Sequence, residues 1–301
     1  MRGASLGAIE AGGTKFLCAK WDATGALVER TRIDTAEPGL TLDAVLAFFR
    51  NGQAVDSLGI GSFGPLCLTP GDPRYGALTV TSKLAWQGVA LLDEMRKGLG
   101  VPVAIASDVE AAALGEGALG AAQGLSHFAY VTVGTGIGGA MVVNGQLLRG
   151  LGHSELGHIY PPPLPDDDCF PGVCPIHGRC LEGLASGPAL DARTGTSGDA
   201  LASDHSAFTL IAEYLAHLCL VIDGLAAPER IIIGGGVVEA RALHPPIAAA
   251  FDRLKGDYGE RRSPEALADF IVPPAAPMAP GLLGARVLAQ KALADKENLP
   301  E

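Results

Sequence analysis

Residues 5–21, SLGAIEAGGTKFLCAKW, decide the fold. Two short apolar runs, 5–11 and Phe16–Trp21, read as strands, and Gly12-Gly13-Thr14-Lys15 lies between them as a turn. A P-loop also carries a Gly-Lys-Ser/Thr signature, but its lysine opens a helix. Here a strand follows, so the stretch is a hairpin. Its glycines would let backbone N–H groups approach phosphate oxygens, with the Thr14 hydroxyl and the Lys15 charge beside them. Taken alone, a plain hairpin turn explains the stretch equally well. The device recurs, however, about 120 residues on, in residues 128–143, FAYVTVGTGIGGAMVV. There Gly134-Thr135-Gly136 again joins strand to strand. Two such turns predict an α/β chain of duplicated halves facing one nucleotide. A third glycine turn, Gly234-Gly235-Gly236-Val237, ends the strand-like run Arg230–Ile233.

Between the first two turns, the patterns predict a helix over Thr41–Arg50, a strand over Ser57–Ser62, a helix over Leu91–Leu99 and a strand over Val101–Ala106. Residues 69–88 read as loop, with Thr81, Ser82, Lys83 and Trp86 exposed enough to touch a ligand. Ser107-Asp108-Val109-Glu110 then starts an alanine-rich helix with the Ser-x-x-Glu spacing of a capping box. Asp108 can be read in two ways. It complements the helix macrodipole, and it also sits past the carboxyl end of a strand, where open α/β sheets place ligands. A general base is the second reading. Further on, Phe208–Leu225 carries a helical apolar stripe, and a closing helix spans Leu282–Leu293.

Residues 153–182, HSELGHIYPPPLPDDDCFPGVCPIHGRCLE, concentrate the reactive side chains. His158 and the knuckle Cys174-x-x-His177-x-x-Cys180 make a two-imidazole, two-thiolate set, which closes a tetrahedral Zn²⁺ shell. Cys169 is a spare ligand candidate. The intervening run is Pro-rich and acidic, so a metal is expected to staple it. A zinc hydrolase would need an open coordination position, which four such ligands do not leave. Glu155 and Glu182 flank the ligands, and carboxylates suit a hydroxyl-rich ligand.

The chain has 301 residues, enough for one large or two medium cores. Its formal net charge is −11. That balance argues against nucleic acid or an anionic membrane surface as partner. The most apolar helix, Phe208–Leu225, is interrupted by Glu213, His217 and Asp223, so no membrane span is expected. Six cysteines without a visible signal segment suggest reduced thiols and a cytoplasmic protein.

EAGGTK, GIGSFGP, SDVEAAALGE, VTVGTGIGG, HSELGHI, CPIHGRCLEGLASGPA and IIIGGGV occur in this order. Together they resemble the ROK family of sugar kinases, and within it the zinc-containing bacterial fructokinases, over nearly the whole chain. The resemblance implies a two-lobed actin/hexokinase-like (ribonuclease H-like) α/β fold with ATP between the lobes. One lobe would span 1–110 and be completed by a helix near 281–295. The other would span 111–280 and carry the zinc loop 153–182.

Roles follow from the same resemblance. Asp108 would be the base that takes the sugar hydroxyl proton. Gly12, Gly13, Thr14 and Lys15 would form one phosphate turn, and Gly134, Thr135 and Gly136 the other. Pro188 and Gly234, Gly235, Gly236 and Val237 would border the adenosine. Glu155, His158 and Glu182, with Asp108, would hold the hexose, and His158, Cys174, His177 and Cys180 would bind a structural Zn²⁺. Mg²⁺ would accompany ATP, and a homodimer is implied.

The chain departs from the family at Glu10, where most members have Asp, and at Ser107 and Glu110. Ser82 and Ala85 also replace the expected Pro and Gly beside Trp86. Fructose is the expected substrate, with mannose, glucose and N-acetylmannosamine as alternatives. A sugar-sensing regulator of the same family would need a DNA-binding domain ahead of Gly12.

Overall fold

The computed structural model describes residues 3–81, 83–167, 169–259 and 261–297. The chain divides into two compact units. One comprises Met1–Gln123, Arg149–His153 and Ala275–Glu301, and the other Gly124–Leu148 and Ser154–Pro274. The first unit therefore runs past the expected boundary at 110.

In the first unit, β1 (Leu6–Ala11), β2 (Lys15–Trp21) and β3 (Leu27–Asp34) form an antiparallel meander. α1 (Pro38–Arg50) leads to β4 (Ser57–Ser62), parallel to β1, and α2 (Leu91–Leu99) leads to β5 (Val103–Ser107), parallel to β4. The sheet order is β3-β2-β1-β4-β5. β4 is buried at all six positions because its sheet is covered on both faces. α3 (Asp108–Leu119) follows at once.

The second unit repeats the plan. β6 (Phe128–Val133), β7 (Ile137–Val143) and β8 (Gln146–Leu147) form a second meander. Asn144 and Gly145 turn from β7 into β8 with positive φ (52° and 72°), as a tight hairpin requires. α4 (Leu181–Ala185), α5 (Gly187–Thr194) and α6 (Ser206–Ala226) precede β9 (Arg230–Gly234), which lies parallel to β6. α7 (Gly236–Glu239), α8 (His244–Lys255) and α9 (Pro264–Phe270) then lead to β10 (Ile271–Val272), parallel to β9. The order β10-β9-β6-β7-β8 reproduces the first sheet element for element. The duplication expected from the glycine turns is thus present in the strand pairing.

α6 is long and apolar enough by composition to cross a bilayer. Its stripe, including Phe208, Ile211, Leu215, Leu218 and Ile222, is instead buried in the core of this unit.

α10 (Pro280–Glu297) returns to the first unit and packs on α3 and β4. The approach is close: a Cβ on Gly59 would lie 1.8 Å from the Ala285 carbonyl oxygen. Glu116, fully buried near the end of α3, accepts from Ala121 N at 2.7 Å, Ala275 N at 3.0 Å and Ala276 N at 3.2 Å.

The described residues of 69–88 are largely loop, but the exposure expected of Thr81 and Trp86 needs correction. Trp86 is 2% exposed and Thr81 is buried. The Trp86 indole packs against Phe16 and Phe63 and donates to Ala36 O at 2.9 Å. A large ring with a reachable backbone acceptor is stabilised by burial, so Trp86 is a core residue and not a ligand contact. Ser82 lies outside the described residues.

Candidate functional site

The first glycine turn closes with Gly12 N donating to Lys15 O at 2.9 Å. Thr35, just past β3, braces it: its hydroxyl donates to Gly12 O at 2.7 Å and its N–H to Thr14 O at 3.0 Å. Thr14 and Lys15 remain exposed. The antiparallel pairing of β1 with β2 bears out the hairpin reading over a P-loop.

Glu10 reaches the same region from β1. Burial pushes its carboxyl above the ordinary range; a Leu282 backbone hydrogen bond lowers it, the Asp108 charge raises it and Lys15 lowers it. Glu10 Oε2 is buried with no hydrogen-bond partner among the described residues. A donorless buried carboxylate oxygen beside a second carboxylate is stabilised by a cation. The Glu10 carboxylate therefore fits a group that would hold Mg²⁺.

Asp108 is the exposed first residue of α3, its Oδ1 accepting from Val109 N at 2.8 Å. The capping box before it is complete. Glu110 N donates to Ser107 Oγ at 3.3 Å and Ser107 N to Glu110 Oε2 at 3.0 Å. Glu110 also forms a two-pronged pair with Arg149, with Nε–Oε1 at 2.6 Å and Nη2–Oε2 at 2.7 Å. Arg149 lies 39 positions away, and nothing in the local pattern announces it.

In the second unit, the His/Cys set converges. One donor atom from each of His158, Cys174, His177 and Cys180 lies within 4.8 Å of the others. His158 Nδ1 is 3.3 Å from His177 Nδ1 and 3.4 Å from Cys180 Sγ, and Cys174 Sγ is 3.8 Å from His177 Nδ1. A tetrahedron with bond lengths of about 2.0 Å to nitrogen and 2.3 Å to sulfur has edges of about 3.3–3.8 Å. The donor set therefore fits Zn²⁺. Both histidines face the centre through Nδ1, which leaves His158 Nε2 on the outer edge of its ring. Cys169 is exposed and outside the cluster. Burial, with Cys174 and Glu182 nearby, pushes the Cys180 thiol up to about 11, although the Gly183 backbone pulls it down. Metal loading must therefore displace protons from thiols.

The Pro-rich run also has an ionic anchor of its own. Asp167, 5% exposed, pairs with Arg193 (Nε–Oδ1 2.9 Å, Nη2–Oδ2 2.8 Å) and accepts from the Tyr214 hydroxyl at 2.7 Å. Burial would raise this carboxyl, but those bonds and the Arg193 and Arg179 charges hold it below its usual range. Arg179, inside the knuckle, donates to Phe170 O and Asp167 O. An ionic anchor thus stands beside the knuckle, in addition to the metal staple that the sequence leads one to expect.

The second glycine turn closes with Gly134 N donating to Gly136 O at 2.9 Å. The knuckle segment braces it. Glu182, beginning α4 two residues after Cys180, accepts from Ile137 N at 3.0 Å. Gly187 N donates to Gly134 O at 2.8 Å. Gly157, in the 3-10 turn Leu156–His158, sits so near β7 that a Cβ would lie 1.9 Å from Ile137 O. Glu155 is exposed at the start of that turn.

A cavity of about 290 Å³ opens beside this turn, lined by Gly134, Gly187, Gly236 and Val237 among others. Pro188 follows Gly187 on the exposed start of α5. Gly234 instead ends β9 in the interior, and Gly235, at φ 95°, starts the turn into α7. Unlike the first two, the third glycine turn thus opens a helix. Arg241, unmarked by any sequence signal, also lines the cavity, with Nη2 donating to Gly198 O at 3.0 Å.

Residues 6–292 match the model of the ROK family. The chain is 40% identical over 288 residues to a fructokinase of Pediococcus pentosaceus, covering 96% of this chain and 98% of that protein. It is 38% identical over 290 residues to a fructokinase of Zymomonas mobilis subsp. mobilis, covering 94% and 95%. Among solved structures, a ROK family glucokinase from Streptomyces griseus in complex with glucose and AMPPNP superposes with TM-score 0.72 at 26% identity, covering 95% of this chain and 99% of that one. The two-lobed actin/hexokinase-like α/β fold is the one these strands build.

Proposed function

This chain belongs to the ROK family, as an ATP-dependent sugar kinase, and on that premise we propose that its substrate is D-fructose and its product fructose 6-phosphate. The observation that carries the choice of hexose is near-full-length similarity to two fructokinases, at 40% and 38% identity.

A primary hydroxyl is a weak nucleophile until its proton has an acceptor. Asp108, oriented by the Val109 N–H, takes that proton as the hydroxyl oxygen approaches the γ-phosphorus. Backbone N–H groups of Gly12–Lys15 and Gly134–Gly136 position the phosphates, with Lys15 adding charge. Mg²⁺, when bound with ATP, supplies the charge that the phosphate oxygens need. Glu155 and Glu182 accept from sugar hydroxyls, and His158 donates from Nε2 while Nδ1 faces the metal position. The His/Cys cluster shapes the sugar-binding segment and takes no part in the chemistry. Pro188 and the turn at Gly236 and Val237 border the adenosine, with Gly234 and Gly235 behind them in the backbone. We also assign the protein to the cytoplasm as a homodimer, which sedimentation would test.

A coupled ADP-release assay across fructose, mannose, glucose and N-acetylmannosamine tests the substrate. Fructose should give the highest kcat/KM, and a higher value for another hexose overturns the choice. Asp108→Asn should lower kcat by about 10²–10⁴-fold with zinc content and Tm unchanged. A variant that keeps wild-type turnover removes Asp108 as the base.

A further inference from the structure

The first unit carries a cavity of about 600 Å³ along β5, the outermost strand of its sheet. None of the residues given a catalytic, sugar, nucleotide or metal role above lines it. Its floor is apolar, formed by Leu92 of α2, Val103 of β5 and Leu288 of α10, all buried. Its rim is cationic. Arg96, Arg149, Lys291 and Lys296 line it, and Asp295 is the one acidic residue among its described lining. A concentration of positive charge over an apolar floor is notable in a chain whose formal net charge is −11.

Structural roles account for only part of that rim. Arg96 Nη2 donates to Val103 O at 3.1 Å, which fixes the guanidinium at the cavity edge. Lys296 lies in the last turn of α10, where a cation complements the macrodipole. Lys291 is one turn earlier and exposed, and neither lysine forms an ion pair among the described residues. Arg149 turns Nε and Nη2 to Glu110. A guanidinium has five N–H donors; besides Glu110, Arg149 bonds the Tyr75 side chain in the cavity lining, and further donors remain. One guanidinium thus serves both the α3 capping box and the cavity.

We propose that this cavity binds a small organic phosphate. Its carbon body would cover the floor at Leu92, Val103 and Leu288, and its phosphate and carboxylate groups would reach Arg96, Arg149, Lys291 and Lys296. The volume falls within the range of small-molecule sites, about 300–1,000 Å³. Forked guanidinium donors and point-charge ammonium groups are the groups that recognise phosphate. The site is separate from the kinase reading and does not depend on it.

The test is calorimetric titration of the full chain with 3-phosphoglycerate at low salt, in the presence of saturating Mg·AMPPNP to fill the nucleotide site. One binding event is expected, weakening as salt rises. Lys291→Glu/Lys296→Glu should weaken it by about tenfold or more. Both lysines are exposed and outside the residues given kinase roles, so sugar-kinase turnover of that variant should match wild type, with Tm lowered only slightly by the reversed charge at the end of α10. Arg96→Gln, on another helix, should weaken binding in the same direction. Absence of binding to wild type overturns the site. So does binding that survives both variants, or binding that Mg·AMPPNP abolishes.

Discussion

The two glycine turns are built alike and supported differently. Gly12–Lys15 is braced by Thr35, a residue of its own meander's end. Gly134–Gly136 is braced from outside its meander, by Glu182 and Gly187, which follow the His/Cys knuckle directly in sequence. The same glycine turn is therefore supported locally in one unit and tied to the segment that follows the His/Cys cluster in the other. If both turns hold phosphate, as proposed, a metal at that cluster would set the shape of one turn and leave the other alone.

Removing the metal should separate the turns most sharply. After treatment with a chelator, hydrogen exchange should accelerate at 134–137 and 170–187 and stay unchanged at 12–15. The sugar KM should rise by about tenfold or more, corresponding to 1.4 kcal/mol of lost binding per factor of ten. Equal acceleration at both turns would erase the distinction.

Asp167→Ala attacks the other anchor of the same segment. It leaves Arg193 buried without its partner, a loss of about 3–5 kcal/mol, readable in urea unfolding. Zinc content at saturating metal should remain one per chain, because the four ligands are untouched.

A matched pair of alanine substitutions gives a smaller contrast. In Gly136→Ala the new Cβ would lie 2.7 Å from Glu182 Oε2, whereas in Gly13→Ala it would meet only the flexible Lys83 Cε at 3.4 Å. Gly136→Ala should lower stability by about 1–3 kcal/mol and weaken both sugar and ATP. Gly13→Ala should change stability by no more than about 0.5 kcal/mol and weaken ATP alone.

Glu10→Gln should have the smallest effect on folding, and its sign depends on pH. The folded-state pKa of Glu10 is raised, so protonation favours the native state. The stability that Glu10 contributes is present at low pH and is lost as pH rises through the folded value. The nucleotide-free variant should therefore gain Tm over wild type at neutral pH and match it in acid. The same variant should need more Mg²⁺ for half-maximal turnover.

Where one physical cause dominated, the fold was legible. β4 and β6 appear at their expected bounds because buried runs between turn residues have few other uses. The His/Cys cluster was legible from spacing, since four such ligands rarely have another reason to gather. β3, LVERTRID, escaped because an edge strand with exposed charges lacks apolar alternation. α8 was hidden behind His244-Pro245-Pro246, which reads as a break until proline is allowed in a first helical turn. Trp86 was misplaced because a lone aromatic in a loop carries no signal of burial. Asp167 was hidden in a run of three aspartates, 166–168, whose pattern does not single out a partner for Arg193 and Tyr214. Arg149 and Glu110 meet through tertiary structure alone.

Glu116 ties together two stretches of the first unit, at Ala121 and at Ala275–Ala276, that lie beside two of the four points where the chain passes between its units. Its helix begins with Asp108. A rod about 18 Å long thus has the residue proposed as base at one tip and the Glu116 clasp near the other. Loosening that clasp, as in Glu116→Gln, is a way to disturb turnover from the far end of the rod without touching a single atom that meets the substrate.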